Sequence, residues 1–427
     1  MAASRGIKKL GEIFRNALPN GIRPRRSSGP GEPAGLAQDT SVIQLVNRFI
    51  LEAIQAGASD VHIEPGDGGL CLRLRIDGLL HDFASPPREA QPQILSRIKI
   101  LSGMDIAERR LPQDGRMHFQ LEEGPVNIRV STLPTIKGEK IVLRLLNRDR
   151  IIMDLDKLGM NEKNFAAFTG FIRASHGLLL VTGPTGCGKS TTLYSAINHL
   201  NSPEKNIITV EDPVEFYLEG INQVQINAKI GLTFGRALRN ILRQDPNIIM
   251  IGEIRDAETA EIATRAALTG HLVLSTLHTN DAPRAITRLL DMGVKEYLLV
   301  SSLVGIVAQR LVRLLCPSCR EPGELTAAEK ELFLRFYPAA RVPAVLYRAR
   351  GCPRCSSTGY RGRLALHEVL PCSEEMKGLI LKGAPVGDIE RQAGAEGLIP
   401  LSQDGIEKAL QGLTSLSEVI RAAFNGA

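Results

Sequence analysis

The stretch "LVTGPTGCGKSTT", Leu180–Thr192, limits the possible folds of this chain more than any other segment. It contains the pattern G-x-x-x-x-G-K-S, from Gly183 to Ser190, directly behind the apolar run "LLLVT". Glycines at these spacings let the backbone curl so that successive N–H groups point inward, where they bind phosphate oxygens. The pattern therefore predicts a phosphate-binding loop between a buried strand and the start of a helix.

The loop predicts binding of a nucleoside triphosphate with Mg²⁺. Lys189 is expected to reach the β- and γ-phosphates, the Ser190 hydroxyl to hold Mg²⁺, and Thr191 to reach the α-phosphate. The residues predicted to bind the nucleotide are Gly183, Pro184, Thr185, Gly186, Cys187, Gly188, Lys189, Ser190 and Thr191.

A loop of this kind needs a carboxylate at the end of a neighbouring strand. The segment "NIIMIGEIRD" supplies Glu253 just beyond the apolar run Ile248–Ile251. Strand ends are where an open α/β sheet builds its site, so we expect Glu253 to orient or deprotonate the attacking water. An exposed glutamate without a role is the alternative.

Two further strand ends carry polar groups. The segment "ITVEDPVE" offers Glu211, Asp212 and Glu215, and "TGHLVLSTLHTND" places His271 and His278 on either side of a third apolar run. A single histidine is more often structural than catalytic. Because several such ends occur in one region, we expect them to form a shared site, with Glu211 and His278 as its catalytic candidates.

Four of the seven cysteines form two C-x-x-C pairs, "CPSC" and "CPRC". This is a metal-binding pattern rather than a disulfide framework, and four thiolates suit a closed tetrahedral Zn²⁺ site with a structural role. The predicted zinc ligands are Cys316, Cys319, Cys352 and Cys355. Cys71 and Cys372 have no partner signature and are expected to be packing residues.

Composition is that of a soluble globular protein of two or three domains, with 427 residues, 43% of them hydrophobic and 23% charged. No apolar run approaches the roughly 18 residues that span a bilayer, and the first residues lack the apolar core of a secretory signal. We therefore expect a cytoplasmic protein.

The net charge of +6 is unevenly distributed, with a surplus of 4 over residues 1–40 and of 7 over residues 309–363. Such clusters suit an acidic partner: a protein face, an anionic membrane or nucleic acid. Only 4% of the residues are aromatic and none is Trp, so stacking platforms for nucleic acid are not visible.

Apolar strands alternate with helical patterns from about residue 161 onward, which predicts a mostly parallel sheet flanked by helices. Residues 41–147 mix helical and strand-like patterns and predict a smaller α/β domain. The predicted boundaries are a basic tail and Pro/Gly-rich linker at 1–40, the domain 41–147, a linker at 148–160, and the nucleotide-binding domain 161–427, with a zinc module at 316–355 and C-terminal helices at 374–427. Within the tail, residues 5–18 fit a short amphipathic anchor or a frayed end.

Together these motifs resemble those of the secretion ATPase superfamily. "GPTGCGKSTTLY", "ITVEDPVE", "RQDPNIIMIGEIRDAETA" and "ALTGHLVLSTLHTND" look like its Walker A motif, Asp box, Walker B motif and His box. "GASDVHIEP", "LPQDGRM" and "RVSTLPTIKGEKIVLRLL" are similar to the branch that drives type II secretion and type IV pilus assembly. The resemblance covers residues 41–427.

The resemblance implies a RecA-like ATPase domain behind a PAS-like domain, assembled as a homohexamer with ATP between subunits. Glu253 then corresponds to the catalytic glutamate, and Gly252 before it matches this branch. Arg129 and Arg144 match arginines that reach the nucleotide from a neighbouring module, a task that suits a permanently charged guanidinium. Arg239, Arg243 and Arg255 match further basic positions, for which salt bridges are equally plausible.

Three features concern how such a protein would be placed and regulated. The branch works at the cytoplasmic face of the inner membrane, where it acts on a platform protein. The resemblance therefore implies that the basic zinc module binds that protein or acidic phospholipid. Neither nucleic acid nor a small substrate other than ATP is expected as a ligand. About 40 residues precede the matched region, too few for the extra N-terminal domain of many relatives. Cys187 replaces a small hydroxyl residue, and its thiol is expected to be oxidation-sensitive.

The function predicted is therefore a motor ATPase that assembles a pseudopilus for type II secretion. Type IV pilus assembly is the alternative, and a nucleic-acid translocase is a distant third. Salt-dependent stimulation of hydrolysis by nucleic acid would favour the third.

Overall fold

The computed structural model describes residues 40–121, 124–146, 154–336 and 345–424. The chain divides into two compact units, Met1–Arg148 and Asp149–Ala427. The predicted anchor at residues 5–18, the linker that follows it and the first part of the predicted connector lie outside the described residues.

The first unit is an antiparallel sheet covered by two helices. Its six strands lie in the order β3-β2-β1-β6-β5-β4. The strands are β1 Asp60–Gly66, β2 Gly69–Ile76, β3 Leu79–Ala84, β4 Gln113–Leu121, β5 Gly124–Thr135 and β6 Gly138–Leu146, and the helices are α1 Thr40–Gln55 and α2 Gln91–Leu101.

One face of this sheet forms the core of the unit, and the other face is polar. Phe49 of α1 and Ile98 of α2 pack against alternate strand residues such as Ile63 and Ile128, as expected from the two-residue period of a strand. A buried ion pair, with Lys99 Nζ 2.5 Å from Glu139 Oε1, accompanies this packing.

The second unit is built on a seven-stranded sheet in the order β15-β12-β7-β11-β10-β8-β9. Its strands are β7 Gly177–Thr182, β8 Ile207–Glu211, β9 Asn222–Gln225, β10 Ile248–Ile251, β11 Leu272–Leu277, β12 Leu303–Leu315 and β15 Tyr360–Pro371. Every neighbouring pair is parallel except β12 with β15. The predicted mostly parallel sheet is confirmed.

Helices follow the strands of this sheet. Strands β7, β8, β10 and β11 are buried along their whole length, which explains their unbroken apolar sequences. The helices are α3 Glu162–Ile172, α4 Lys189–Leu200, α5 Phe234–Ile241, α6 Ala257–Leu268, α7 Ala282–Asp291, α8 Glu296–Ser302, α10 Glu374–Leu381, α11 Val386–Ala395, α12 Leu401–Leu410 and α13 Leu416–Val419, with α9 in the module described next.

Aspartate side chains cap the N-termini of two of these helices, which follow β10 and β11. Asp256 accepts from the Thr259 backbone N–H at the start of α6, and Asp281 accepts from that of Arg284 at the start of α7. Such caps satisfy N–H groups that a helix cannot pair itself, so each fixes where the loop after its strand ends.

A small module interrupts the unit between β12 and β15. It contains the hairpin β13 Arg320–Glu324 and β14 Val345–Ala349, with helix α9 Ala327–Phe336 between its strands. The sequence patterns predicted neither the hairpin nor the long antiparallel pair β12–β15.

Candidate functional site

The phosphate-binding loop joins β7 to α4, the arrangement that the sequence predicts. Gly183, Gly186 and Gly188 have φ angles of 149°, 79° and 92°, which favour glycine because a Cβ would be strained there. Helix α4 begins at Lys189 without a capping side chain. Its first N–H groups are therefore available to an anion.

Lys189 is held against this loop. Its Nζ donates to the carbonyl oxygens of Gly183, at 2.7 Å, and Pro184, at 3.0 Å. Burial lowers the pKa of Lys189, the negative charge of Glu253 opposes that shift, and the positive charge of Arg310 adds to it. The lysine and the predicted catalytic glutamate are thus close enough for their charges to interact.

Glu253 lies just beyond β10 at the same edge of the sheet. Its Oε2 is 3.3 Å from His278 Nε2, and its Oε1 accepts from Arg255 Nη2 at 2.5 Å. Burial opposes ionisation of Glu253, but the hydrogen bonds and charges of Arg255 and His278 outweigh it and lower its pKa. The group is therefore a carboxylate at neutral pH, ready to orient water or accept its proton.

Glu211, the other predicted catalytic carboxylate, is enclosed by protein groups. It is 4% exposed and accepts hydrogen bonds from the Tyr194 hydroxyl, the Thr209 hydroxyl at 2.6 Å and Gln223 Nε2 at 3.2 Å. Both oxygens are occupied, which is the environment of a structural side chain. This geometry gives no support to a catalytic role.

The two predicted histidines lie at opposite ends of β11. His278 follows the carboxyl end, beside Glu253, whereas His271 precedes the amino end. There its Nδ1 lies 2.9 Å from the Ala266 carbonyl oxygen at the end of α6. The expectation that His271 belongs to the shared site is wrong, because a parallel strand has only one end at that edge.

The thiol of Cys187 is not the reactive group expected from the sequence. The residue is 3% exposed, and burial raises its pKa although Lys189 and Arg310 oppose the shift. Oxidation needs an accessible thiolate. The structure contradicts the expected sensitivity.

In the first unit, Arg129 and Arg144 belong to a row of charged side chains across the polar face of the sheet. Arg116, Arg129 and Arg144 occupy directly opposed positions on β4, β5 and β6. Asp60 on β1 follows next in the row and accepts from Arg144 Nε at 3.0 Å. Like charges directly opposite one another repel, and this row sets three of them side by side on one face of the sheet. No local pattern in the sequence identifies Arg116 or Asp60 as a site residue.

The other arginines matched by resemblance have local partners. Arg239 forms an ion pair with Glu258, and Arg243 donates to the Arg239 carbonyl oxygen at 2.8 Å. Arg255 contacts Glu253, as described above. Salt-bridge or hydrogen-bonding roles account for all three in the isolated chain.

The four cysteines of the two C-x-x-C pairs come together. Their Sγ atoms all lie within 4.8 Å of one another, and three of the Sγ–Sγ distances are 3.8–3.9 Å. Zn–S bonds of about 2.3 Å place the sulfurs of a tetrahedral site about 3.8 Å apart. The cluster therefore fits a zinc ion, and the four ligands leave no position open for catalysis.

No helix within the described ranges combines the length and the apolar character that a bilayer crossing requires.

Sequence comparison matches residues 35–421 to the family "Type II/IV secretion system protein". The chain is 49% identical over 383 residues to the type II secretion system ATPase E of Vibrio cholerae, covering 90% of this chain and 75% of that protein. It is 48% identical over 391 residues to the type IV pilus assembly ATPase PilB of Myxococcus xanthus, covering 91% and 69%.

Two solved structures share the fold. The pilus retraction motor PilT with bound ADP superposes with a TM-score of 0.61 at 26% identity, covering 89% of this chain and 96% of that one. The ATPase DotB of Legionella pneumophila gives 0.67 at 23% identity, covering 93% and 98%.

The contact between Arg255 and Glu253 predicts a pH effect. Replacing Arg255 by Gln removes a hydrogen bond and a charge that lower the Glu253 pKa, so that pKa rises. We expect the acid limb of the ATP turnover profile to move to higher pH. The measurement is kcat/KM against pH, with Arg265→Gln on the exposed face of α6 as the control; an unmoved acid limb in Arg255→Gln would contradict the assignment.

Proposed function

Since the chain belongs to the type II/IV secretion system protein family, we propose that it is a ring-shaped homohexameric motor whose ATP hydrolysis assembles a pseudopilus for type II secretion. It is a secretion ATPase. The hexamer, the platform protein that it drives and its place at the cytoplasmic face of the inner membrane are parts of the proposal. So is the predicted division into a domain at 41–147, a linker and an ATPase domain at 161–427.

The observation that carries the proposal is the meeting of loop, carboxylate and histidine at one edge of the sheet. Lys189 holds the β- and γ-phosphates, and Glu253 orients the attacking water or accepts its proton. His278, beside Glu253, positions that carboxylate, and Arg255 keeps it ionised. Ser190 is the residue that would hold Mg²⁺, which would neutralise charge on the phosphates.

The charged row of the first unit supplies the second half of the proposed site. Arg129 and Arg144 of one subunit reach the nucleotide bound to its neighbour. Arg144 is 61% exposed although it contacts Asp60, so its guanidinium is accessible to a second chain. Hydrolysis in one subunit then changes the phosphates that the arginines of the adjacent subunit contact. This change at the subunit interface is how we propose that ATP hydrolysis drives movement of the ring.

Loss of either proposed catalytic group should abolish the reaction. Lys189→Ala removes the phosphate contact, and Glu253→Gln keeps the shape but cannot take a proton. We expect ATP turnover to fall by about 100-fold or more and neither variant to restore secretion in a deletion strain. Glu261→Gln, an exposed carboxylate on α6, is the control. Near-normal turnover in Lys189→Ala or Glu253→Gln would refute the site.

Mixing two inactive variants tests whether the arginines act between subunits. A hexamer that contains Arg144→Ala and Lys189→Ala chains has interfaces where an intact loop faces an intact arginine, so we expect partial recovery of ATP turnover. Each variant alone should stay inactive, and mixing Glu253→Gln with Lys189→Ala should recover nothing, because both lesions then lie in the same half of the site. No recovery with Arg144→Ala, or activity of a monomer, would contradict the proposal.

We propose that the cysteine cluster holds one structural Zn²⁺. Cys316 follows β12 directly, and Cys352 and Cys355 flank a short turn before β15, so the ion would fasten the module to the sheet. Metal analysis of the purified chain should find about one zinc per chain. Cys316→Ser should lower zinc content and thermal stability, whereas Cys71→Ser, outside the cluster, should change neither. Absence of zinc from the folded wild type would rule out the site.

The proposed partner of the basic module is the platform protein or acidic phospholipid. Arg354, between Cys352 and Cys355, and Arg361, on β15, are both exposed. We expect vesicles containing anionic lipid, or a platform fragment, to stimulate ATP turnover, and Arg354→Glu/Arg361→Glu to lose that stimulation while keeping basal turnover. Stimulation by nucleic acid alone would contradict this assignment.

Type IV pilus assembly is the second candidate, because the identity to PilB, 48%, is nearly as high as the 49% to the type II secretion ATPase of Vibrio cholerae. Deletion of the gene followed by assay of secreted enzymes and of surface pili separates the two. The proposal predicts loss of secreted enzymes with pili intact, and the reverse result would establish pilus assembly.

A further inference from the structure

Two buried polar side chains lie beside the phosphate-binding loop on a strand that the proposed mechanism does not use. Strand β12 runs parallel to β7 and pairs with it as far as Ala308 with Thr182. The next residues of β12, Gln309 and Arg310, therefore lie alongside the loop. They are 2% and 7% exposed, on a strand that is otherwise largely apolar. Buried polar groups on such a strand need partners, and both have them.

The Gln309 amide joins the tip of the loop to the helix behind it. Its Nε2 donates to the Cys187 carbonyl oxygen at 2.8 Å, and its Oε1 accepts from the Thr192 hydroxyl at 2.7 Å. Both ends of the amide are thus used, and each bond reaches a different part of the loop–helix segment. A hydrocarbon side chain of similar size could make neither bond.

The bond to Cys187 has a direct consequence for phosphate binding. A peptide group is planar and trans, so its C=O and the following N–H point in opposite directions. Because Gln309 holds the Cys187 carbonyl toward β12, the Gly188 N–H is directed away from β12. Phosphate binding by such a loop depends on the direction of its N–H groups, so Gln309 fixes one of them.

The glycines of the loop also make room for Gln309. A Cβ at Gly188 would lie 2.7 Å from Gln309 Nε2, and one at Gly183 would lie 2.5 Å from the Gln309 carbonyl oxygen. Glycine is therefore favoured at these two positions for two reasons: β12 approaches closely, and the backbone φ angle is positive.

Arg310 extends the connection to the loop after β11. Its Nη1 donates to the Gln309 carbonyl oxygen at 3.0 Å, and its Nη2 donates to the carbonyl and side-chain oxygens of Asn280, at 2.8 and 3.2 Å. Asn280 is two residues beyond His278, which contacts Glu253. One strand thus holds the phosphate-binding loop on one side and the histidine-bearing loop on the other.

We propose that Gln309 is a positioning residue for ATP binding and hydrolysis, which fixes the orientation of the phosphate-binding loop through Cys187 and Thr192, and that Arg310 holds the histidine-bearing loop in register with it. The proposal deepens the ATPase function. It rests on nucleotide binding at the loop and not on the pseudopilus or the hexamer's partners, because purified protein and nucleotide suffice to test it.

The test compares Gln309→Leu, Gln309→Glu and Thr192→Val with the matched control Thr264→Val. Thr264 is a buried helical threonine like Thr192, but its hydroxyl donates at 2.7 Å to the Ala260 carbonyl oxygen within α6. Misplacement of a binding group by about 1 Å costs on the order of 100-fold. We expect both Gln309 variants to lower kcat/KM for ATP by about 10- to 100-fold, with a rise in KM as well as a fall in kcat. Thr192→Val should cause a smaller loss, and Thr264→Val none.

A double variant distinguishes positioning from general destabilisation. If the Thr192 hydroxyl acts through Gln309, the losses of Gln309→Leu and Thr192→Val overlap, and the double variant is no worse than Gln309→Leu alone. Thr192→Ser, which keeps the hydroxyl, should retain turnover. Equilibrium binding of a fluorescent ADP gives the affinity even where turnover is low. Wild-type nucleotide affinity and turnover in the folded Gln309 variants, or losses that multiply in the double variant, would overturn the proposal.

Discussion

The parallel pairing of β7, β11, β10 and β8 is the constraint on which the rest of the second unit depends. Parallel strands that neighbour one another bring all their carboxyl ends to one edge. The phosphate-binding loop, Glu253 and His278 follow three of those strands and therefore meet, although up to 95 residues separate them in sequence. Bonds from strand residues to the loops after neighbouring strands reinforce the pairing. The Thr276 hydroxyl of β11 donates to the Gly252 carbonyl oxygen at 2.7 Å, and the Thr182 hydroxyl at the end of β7 lies 2.7 Å from that of Thr279.

Charge balance then decides what each group at this edge can do. Glu253 has a positively charged neighbour and stays ionised, while Glu211 is surrounded by neutral donors and has no free oxygen. Glu211 ends β8 and Glu253 lies just beyond the neighbouring β10, yet the environments of the two carboxylates suit different roles. The buried Arg310 adds a second positive charge close enough to act on Lys189. Two positive charges at the loop favour binding of a highly charged anion.

The sequence predicted much of this arrangement because its signals are local. The loop pattern, the apolar strands and the two C-x-x-C pairs each depend on neighbours in sequence, and the structure has the corresponding elements. Contacts between distant segments could not be predicted in this way. His271 and His278 flank the same strand, but only the topology tells which end carries the site. Gln309 lies in an apolar stretch, "GIVAQRLVRLL", where its partners, more than 110 residues away, leave no local signal. The burial of Cys187 is likewise a result of packing that its local sequence does not reveal.

The central proposal is that one ATP is held by the loop and Glu253 of one subunit and by the arginine row of the next. The most direct measurement is a structure of the assembled particle with a non-hydrolysable ATP analogue and Mg²⁺. The account predicts a ring in which the guanidinium groups of Arg129 and Arg144 lie within hydrogen-bonding distance of the phosphates bound at Lys189 of the adjacent chain. Phosphates contacted by a single chain, with both arginines more than about 10 Å away, a separation at which salt screens charge, would contradict it.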